Sequence, residues 1–151
     1  MTQIKYETVS NDVREMIEKL INTFPDKFIH ININDLHLTF RDSEKCTWKA
    51  RTRLLNEFYR SLTDKKIGIE VWKQDWMTAK ESQKAAVVYH ELMHIVYDET
   101  KKVYKLRRHD VQDFYEMLQQ MGLNYENADD VFSKFTKKEP KQENLFPLRK
   151  E

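Results

Sequence analysis

The sequence predicts a single small α+β domain, because helical and strand periodicities alternate along a chain of 151 residues. Hydrophobic residues make up 40% of the chain, which is enough for one compact core. The chain has only two Gly and one Cys, and this composition excludes glycine-rich phosphate loops, internal disulfides and thiolate zinc fingers. Any metal site must therefore use His, Asp or Glu side chains.

The first half of the chain predicts an N-terminal helix followed by strands. The helix begins after Ser10 and ends before Pro25, with apolar residues at helical spacing between them. Further along, three segments alternate with period two, and one has helical periodicity. The alternating segments are residues 28–40, with a strand ending near Arg41, residues 48–52 and residues 67–71, and the helical one is residues 54–62. We expect a short mixed or antiparallel sheet of about three to four strands.

The second half predicts mainly helices. Thr78 and Glu81 form a reciprocal capping pattern, so a helix should begin at Ala79, and the absence of Gly and Pro lets it continue through Tyr97. The charged segment 101–108 predicts a short hairpin or an irregular loop.

Beyond residue 108, the pattern predicts a second amphipathic helix over residues 111–121, ended by Gly122, and a short last helix over residues 128–135. We expect the domain to cover residues 1–136 and residues 137–151 to form a charged, loosely held tail.

The helix predicted from Ala79 contains an H-E-x-x-H pattern, His90-Glu91-Leu92-Met93-His94. Residues four apart lie on one face of a helix, so both imidazoles can reach one metal ion while Glu91 lies beside it as a base. The flanking residues are apolar, as expected for a buried helix whose metal face lines a cleft. A satisfied pair of core histidines is the weaker alternative.

A catalytic zinc site normally has three protein ligands and an open fourth position, so a third donor is expected downstream. His109, at the start of the next predicted helix, is the leading candidate. Asp113 is the second choice and Asp110 also competes, because either can supply an oxygen ligand or orient an imidazole.

The segments YHELMHIV and RRHDVQDFYEML resemble the phage metallopeptidase family, in which an HELxH helix precedes an HDVxDF-type motif. The similarity extends upstream through DLHLTFR, WKAR and IGIEVWKQDW. That family is in turn similar to SprT-like zinc proteases, from which this chain departs at Asp110 and at the spacing of Phe114. The resemblance implies a small zincin-like fold with Zn²⁺ bound by His90, His94 and His109, and with Glu91 as the catalytic base.

The resemblance predicts a zinc metallopeptidase that acts on a protein or peptide. The alternatives are a catalytically silent zincin-fold protein that sequesters a partner, or a DNA-associated protease of the SprT type. A basic run next to the presumed cleft is the feature that favours nucleic acid, although a solvated hairpin face explains it better. The run consists of Lys101, Lys102, Lys105, Arg107 and Arg108.

The N-terminus lacks an apolar signal core, and no apolar run approaches the length of a membrane span. We therefore expect a cytoplasmic location, which is the host cytoplasm if a phage encodes the protein. The sequence leaves the oligomeric state open.

Overall fold

The structure is a computed structural model, and it describes residues 3–108 and Phe132. The described strands are β1 (Lys5–Thr8), β2 (Leu36–Asp42), β3 (Ala50–Leu54), β4 (Ile67–Trp72), β5 (Ile95–Asp98) and β6 (Val103–Leu106). The described helices are α1 (Asn11–Thr23), α2 (Pro25–Phe28), α3 (Glu57–Thr63), α4 (Lys73–Thr78) and α5 (Glu81–Met93).

Four strands form a mixed sheet in the order β1-β2-β4-β3. The β2–β4 pair is parallel, whereas β1 on β2 and β3 on β4 are antiparallel. This arrangement confirms the predicted α+β fold with a short mixed sheet. Strand β1 was not predicted, because its four residues are all exposed and show no apolar alternation.

One face of this sheet carries the core. Ile67, Ile69 and Val71 of β4 are buried, and α1 and α5 contact each other. Thr52 of β3 pairs with Ile69 in the sheet, and Leu54 pairs with Ile67. Because paired residues project from the same face of a sheet, Thr52 and Leu54 point to the side on which α5 packs.

Helix α1 has the predicted position and the predicted buried stripe, which consists of Val13, Met16, Ile17 and Leu20. Ser10 is its N-cap residue, and Pro25 occupies the first turn of α2, where proline's missing N–H is tolerated. The local sequence signals therefore decided both boundaries of α1.

Trp76 connects α4 to α1 and α5. Its side chain is buried, and its indole nitrogen donates a hydrogen bond to the Asp12 carboxylate at 2.8 Å. The Lys84 ammonium lies 3.6 Å from the same carboxylate and 5.2 Å from the indole ring centroid. Burial acts to raise the pKa of Asp12, but hydrogen bonds from Ser10 and Trp76, together with Lys84, leave it lowered.

The prediction that a capping pattern starts the active-site helix at Ala79 is wrong. Thr78 is the last residue of α4, and its hydroxyl donates to backbone carbonyls of that helix, those of Gln74 and Asp75. Lys80 is the N-cap residue of α5, which begins at Glu81. The hydroxyl that the pattern assigned to the next helix is therefore used by the preceding one.

The prediction that this helix continues through Tyr97 is also wrong, because α5 ends at Met93 and the chain enters β5. β5 and β6 form an antiparallel hairpin in which Ile95 pairs with Leu106 and Tyr97 with Tyr104. Residues 95–97 are β-branched or aromatic, so pairing with β6 overrides the lack of a helix-breaking residue. The predicted hairpin therefore exists, but it begins before residue 101.

The helix predicted over residues 111–121 and the tail over residues 137–151 lie outside the described residues. Of the segment 128–135 only Phe132 is described, at a bend in the backbone. Its ring is buried 5.8 Å from that of Tyr89 and 6.4 Å from that of Phe24, between centroids. Among the helices of residues 3–108, none is long and apolar enough to cross a bilayer.

Candidate metal centre

His90, Glu91 and His94 lie together at the C-terminal end of α5. One ligand atom from each residue can be chosen so that all three are within 4.8 Å of one another. The two imidazole rings meet edge to face with their centroids 5.1 Å apart. Imidazole and carboxylate groups are the usual protein ligands of zinc at sites without thiolates, so this donor set is chemically suited to that ion.

The hairpin fixes the orientation of the His94 ring. His94 Nδ1 lies 2.7 Å from the backbone oxygen of Arg107, and because a carbonyl only accepts, Nδ1 must carry the proton. Arg107 N also donates to the His94 carbonyl at 2.6 Å. With Nδ1 engaged in this way, Nε2 is the ring nitrogen that can offer a lone pair to a metal, as is typical of a metal-ligating histidine whose other nitrogen is anchored.

His30 contacts the same junction between α5 and β5. His30 Nε2 lies 2.7 Å from the carbonyl oxygen of Ile95, the residue that follows His94. His30 falls in the segment 28–40 that was predicted to alternate as a strand, but it occupies a turn after α2. Its contact with the backbone of β5 holds the start of the hairpin next to the end of α5.

Glu91 is buried, with 5% of its surface exposed, although it is a carboxylate. The Thr52 hydroxyl of β3 donates a hydrogen bond of 2.6 Å to Glu91 Oε1. A buried carboxylate is costly to desolvate, and Glu91 is the one carboxylate among the buried residues of α5, which is a mark of a functional site. Thr52 compensates part of that cost and orients the carboxylate.

Sequence periodicity alone did not reveal Thr52 as part of the site. The structure identifies Thr52 as part of the site. The alternation of side chains along β3 directs Thr52 towards α5, where its hydroxyl contacts the Glu91 carboxylate. Similarly, Arg107 contributes through its backbone, which no side-chain pattern can indicate.

Replacing Thr52 with Val should reduce kcat for any reaction that uses Glu91 as a base by about 10-fold to 100-fold, the usual effect of losing a supporting hydrogen bond. KM and zinc content should change little, because the Thr52 hydroxyl hydrogen-bonds to Glu91 through both its carboxylate and its backbone oxygen. Thr52→Ser should restore most of the loss. Steady-state kinetics would separate these effects, and a Thr52→Val protein with an unchanged kcat would show that Thr52 has no positioning role.

The other predicted site residues lie outside the described residues or belong to the β5–β6 hairpin and the residues directly after it. His109, Asp110 and Asp113 lie outside the described residues. The basic run lies on the hairpin and directly after it, and Lys101 and Lys102 are exposed in the turn. Lys105 forms an ion pair with Asp98 at 3.1 Å. The part of the run within the described residues is therefore largely a solvated hairpin face.

Tyr97 and Tyr104 pack together across the hairpin with their ring centroids 5.3 Å apart. The Tyr104 hydroxyl donates to Asp35 at 2.9 Å and accepts from the Asn32 amide at 3.2 Å. Burial, together with the nearby Asp35 carboxylate, raises the pKa of Tyr104 to about 12, whereas the Asn32 hydrogen bond acts to lower it. Below this pKa the phenol is protonated and donates its hydrogen bond to Asp35.

This raised pKa predicts a loss of stability at alkaline pH. An unfolded chain releases the Tyr104 proton near the ordinary value of 10.0, whereas the folded protein keeps it to about 12. The free energy of unfolding should therefore fall as the pH rises from about 10 to about 12. Denaturant titrations across this range should show a shallower decline for Tyr104→Phe than for a control, Tyr59→Phe, at an exposed tyrosine. Equal slopes would contradict the assignment.

A buried glutamate between two histidines on one helix, beneath the edge strand of a mixed sheet, defines the class: small α+β proteins with a zincin-like fold and an HExxH helix. The model of the family described as "Putative phage metallopeptidase" matches residues 4–137. The chain belongs to this family. Searches of curated proteins and of solved structures returned no match.

Proposed function

We propose that the protein is a zinc-dependent peptidase in which His90 and His94 bind the metal and Glu91 is the general base. The single observation that carries this proposal is the buried Glu91 carboxylate, which is oriented by Thr52 and clusters with the two imidazoles at the end of α5. A carboxylate that is buried beside two imidazoles is chemically suited to accept a proton from a water molecule at the metal.

We further propose His109 as the third ligand, with Asp113 and then Asp110 as the competing donors. The backbone of Arg107 is hydrogen-bonded to His94 through both its N–H and its carbonyl. His109 follows Arg107 by two residues, so it is close in the sequence to the backbone that contacts His94. This proximity to a proposed ligand favours His109 over donors farther along the chain.

Zinc at this site would supply a Lewis acid that polarises the peptide carbonyl and lowers the pKa of a water molecule. Glu91 then accepts the proton of the attacking water and passes it to the leaving amine. Thr52 keeps one carboxylate oxygen in a fixed position during both transfers. Arg107 keeps the His94 ring in the orientation that directs Nε2 away from the hairpin.

Peptide hydrolysis by the zinc-loaded protein, compared with its Glu91→Gln variant, tests the proposal. The parent should cleave an unstructured peptide and the variant should not. A parent that binds zinc but cleaves no peptide from a broad library would overturn the proposed activity.

A further inference from the structure

A cavity of about 300 Å³ lies where the end of β3 meets α3 and the β5–β6 hairpin. Its apolar walls include Leu54 of β3 and the Tyr97 and Tyr104 pair of the hairpin. This volume is at the lower limit for small-molecule pockets, so it suits one side chain better than a cofactor. The site described above does not use any of these three side chains.

The cavity adjoins the candidate metal centre along two walls. On β3, Leu54 follows Thr52 by two residues on the same face, and Thr52 contacts Glu91, so the separation along the strand is about 7 Å. On the hairpin, the Tyr97–Tyr104 pair comes two residues after the Ile95–Leu106 pair, which adjoins His94. A peptide at the metal centre is thus within a few residues of the cavity.

The lining of the cavity is positively charged. Among the described lining residues, Arg60, Lys66 and Lys102 are cations and Asp35 is the one carboxylate. Asp35 is already engaged, because Lys66 Nζ lies 3.5 Å from one of its oxygens and Tyr104 donates to the other at 2.9 Å. The described lining therefore has an excess of positive charge, which Arg60 and Lys102 supply.

We propose that this cavity is a specificity subsite for an acidic side chain of the peptide substrate, close to the scissile bond. The inference rests on the proposed peptidase function and names the substrate class for it. A glutamate fits the chemistry best, because its methylene groups would contact Leu54 and the tyrosine rings while its carboxylate would pair with Arg60 and Lys102.

Cleavage selectivity tests this assignment. Peptide pairs that differ only by Glu or Gln at one position should be compared, with that position moved along the peptide on both sides of the cleaved bond. At one position kcat/KM should be about threefold to tenfold higher for the Glu peptide, as expected for partly exposed ion pairs. Lys102→Gln should lower that ratio to about one to two, and the double variant Arg60→Glu, Lys102→Glu should favour a Lys peptide.

Lys101→Gln is the matched control, because Lys101 is an exposed neighbour in the same turn but does not line the cavity. It should leave the Glu preference unchanged. Equal effects of Lys101→Gln and Lys102→Gln, or no Glu preference at any position of a peptide that is cleaved, would overturn the subsite while leaving the peptidase function intact.

Binding to the Glu91→Gln protein provides a readout that does not require cleavage. Adding the Glu peptide should shift the NMR amide signals of Tyr97, Val103 and Tyr104 more than adding the Gln peptide. If the parent cleaves nothing but these shifts occur, the peptidase function is overturned and the ligand class of the cavity stands. If a single-stranded oligonucleotide shifts these signals and the Glu peptide does not, the inference is overturned in favour of nucleic acid.

Discussion

Replacing Glu91 with Gln should lower kcat for the proposed peptide hydrolysis by about 10²-fold to 10⁴-fold, the range that a general base contributes. The substitution keeps the size of the side chain and leaves an amide oxygen that can still accept the Thr52 hydrogen bond. The amide cannot take a proton from water, so the chemical step should fail while the fold and bound zinc persist.

Glu81→Gln is the matched control, since Glu81 is an exposed glutamate in the first turn of the same helix. Its kcat should equal that of the parent. Cleavage that survives in Glu91→Gln at the parent's rate would show that another group is the base. If the biological effect of the protein survives in Glu91→Gln although cleavage is lost, the protein acts by sequestering a partner.

The second large effect is expected from His94→Ala, which removes one proposed ligand and the contact between its ring and the Arg107 carbonyl. Loss of a supporting hydrogen bond typically weakens metal affinity by about 10-fold to 100-fold, so loss of a ligand should exceed that range. Zinc affinity can be measured by competition with a chromophoric chelator, and hydrolysis should fall in parallel. Unchanged zinc affinity in His94→Ala would contradict its role as a ligand.

The same titration distinguishes the candidates for the third ligand. His109→Ala should weaken zinc binding far more than Asp113→Ala or Asp110→Ala, whose effects should be at most those of supporting residues. A larger loss in either aspartate variant than in His109→Ala would transfer the ligand role to that aspartate.

The parts of the fold that sequence could predict are those with strong local signals. Val13, Met16, Ile17 and Leu20 define α1 by helical spacing, and the alternation of Ile67, Ile69 and Val71 defines β4. The His90 and His94 pair and Glu91 were identifiable as a candidate site because a helix fixes the relation between residues four apart. These features need no information about distant parts of the chain.

The remaining features depend on contacts between distant segments. Helix α5 ends at Met93 because the chain that follows pairs with β6. Thr78 does not cap α5, because its hydroxyl forms hydrogen bonds within α4. Thr52 reaches Glu91 across 39 positions of sequence, and the Arg107 contact with His94 is made by backbone atoms. Local periodicity carries none of this information, so the contacts that orient Glu91 and His94 could be identified only from the folded structure.

The zinc content of the protein tests the central claim most directly. Elemental analysis should find one zinc ion per chain in protein prepared without chelators, and the same in His37→Ala, which replaces an exposed histidine of β2. The double variant His90→Ala, His94→Ala should contain almost none while remaining folded by circular dichroism. Zinc retained at one per chain in the double variant, or absent from the parent when zinc is supplied, would contradict a metal centre on α5.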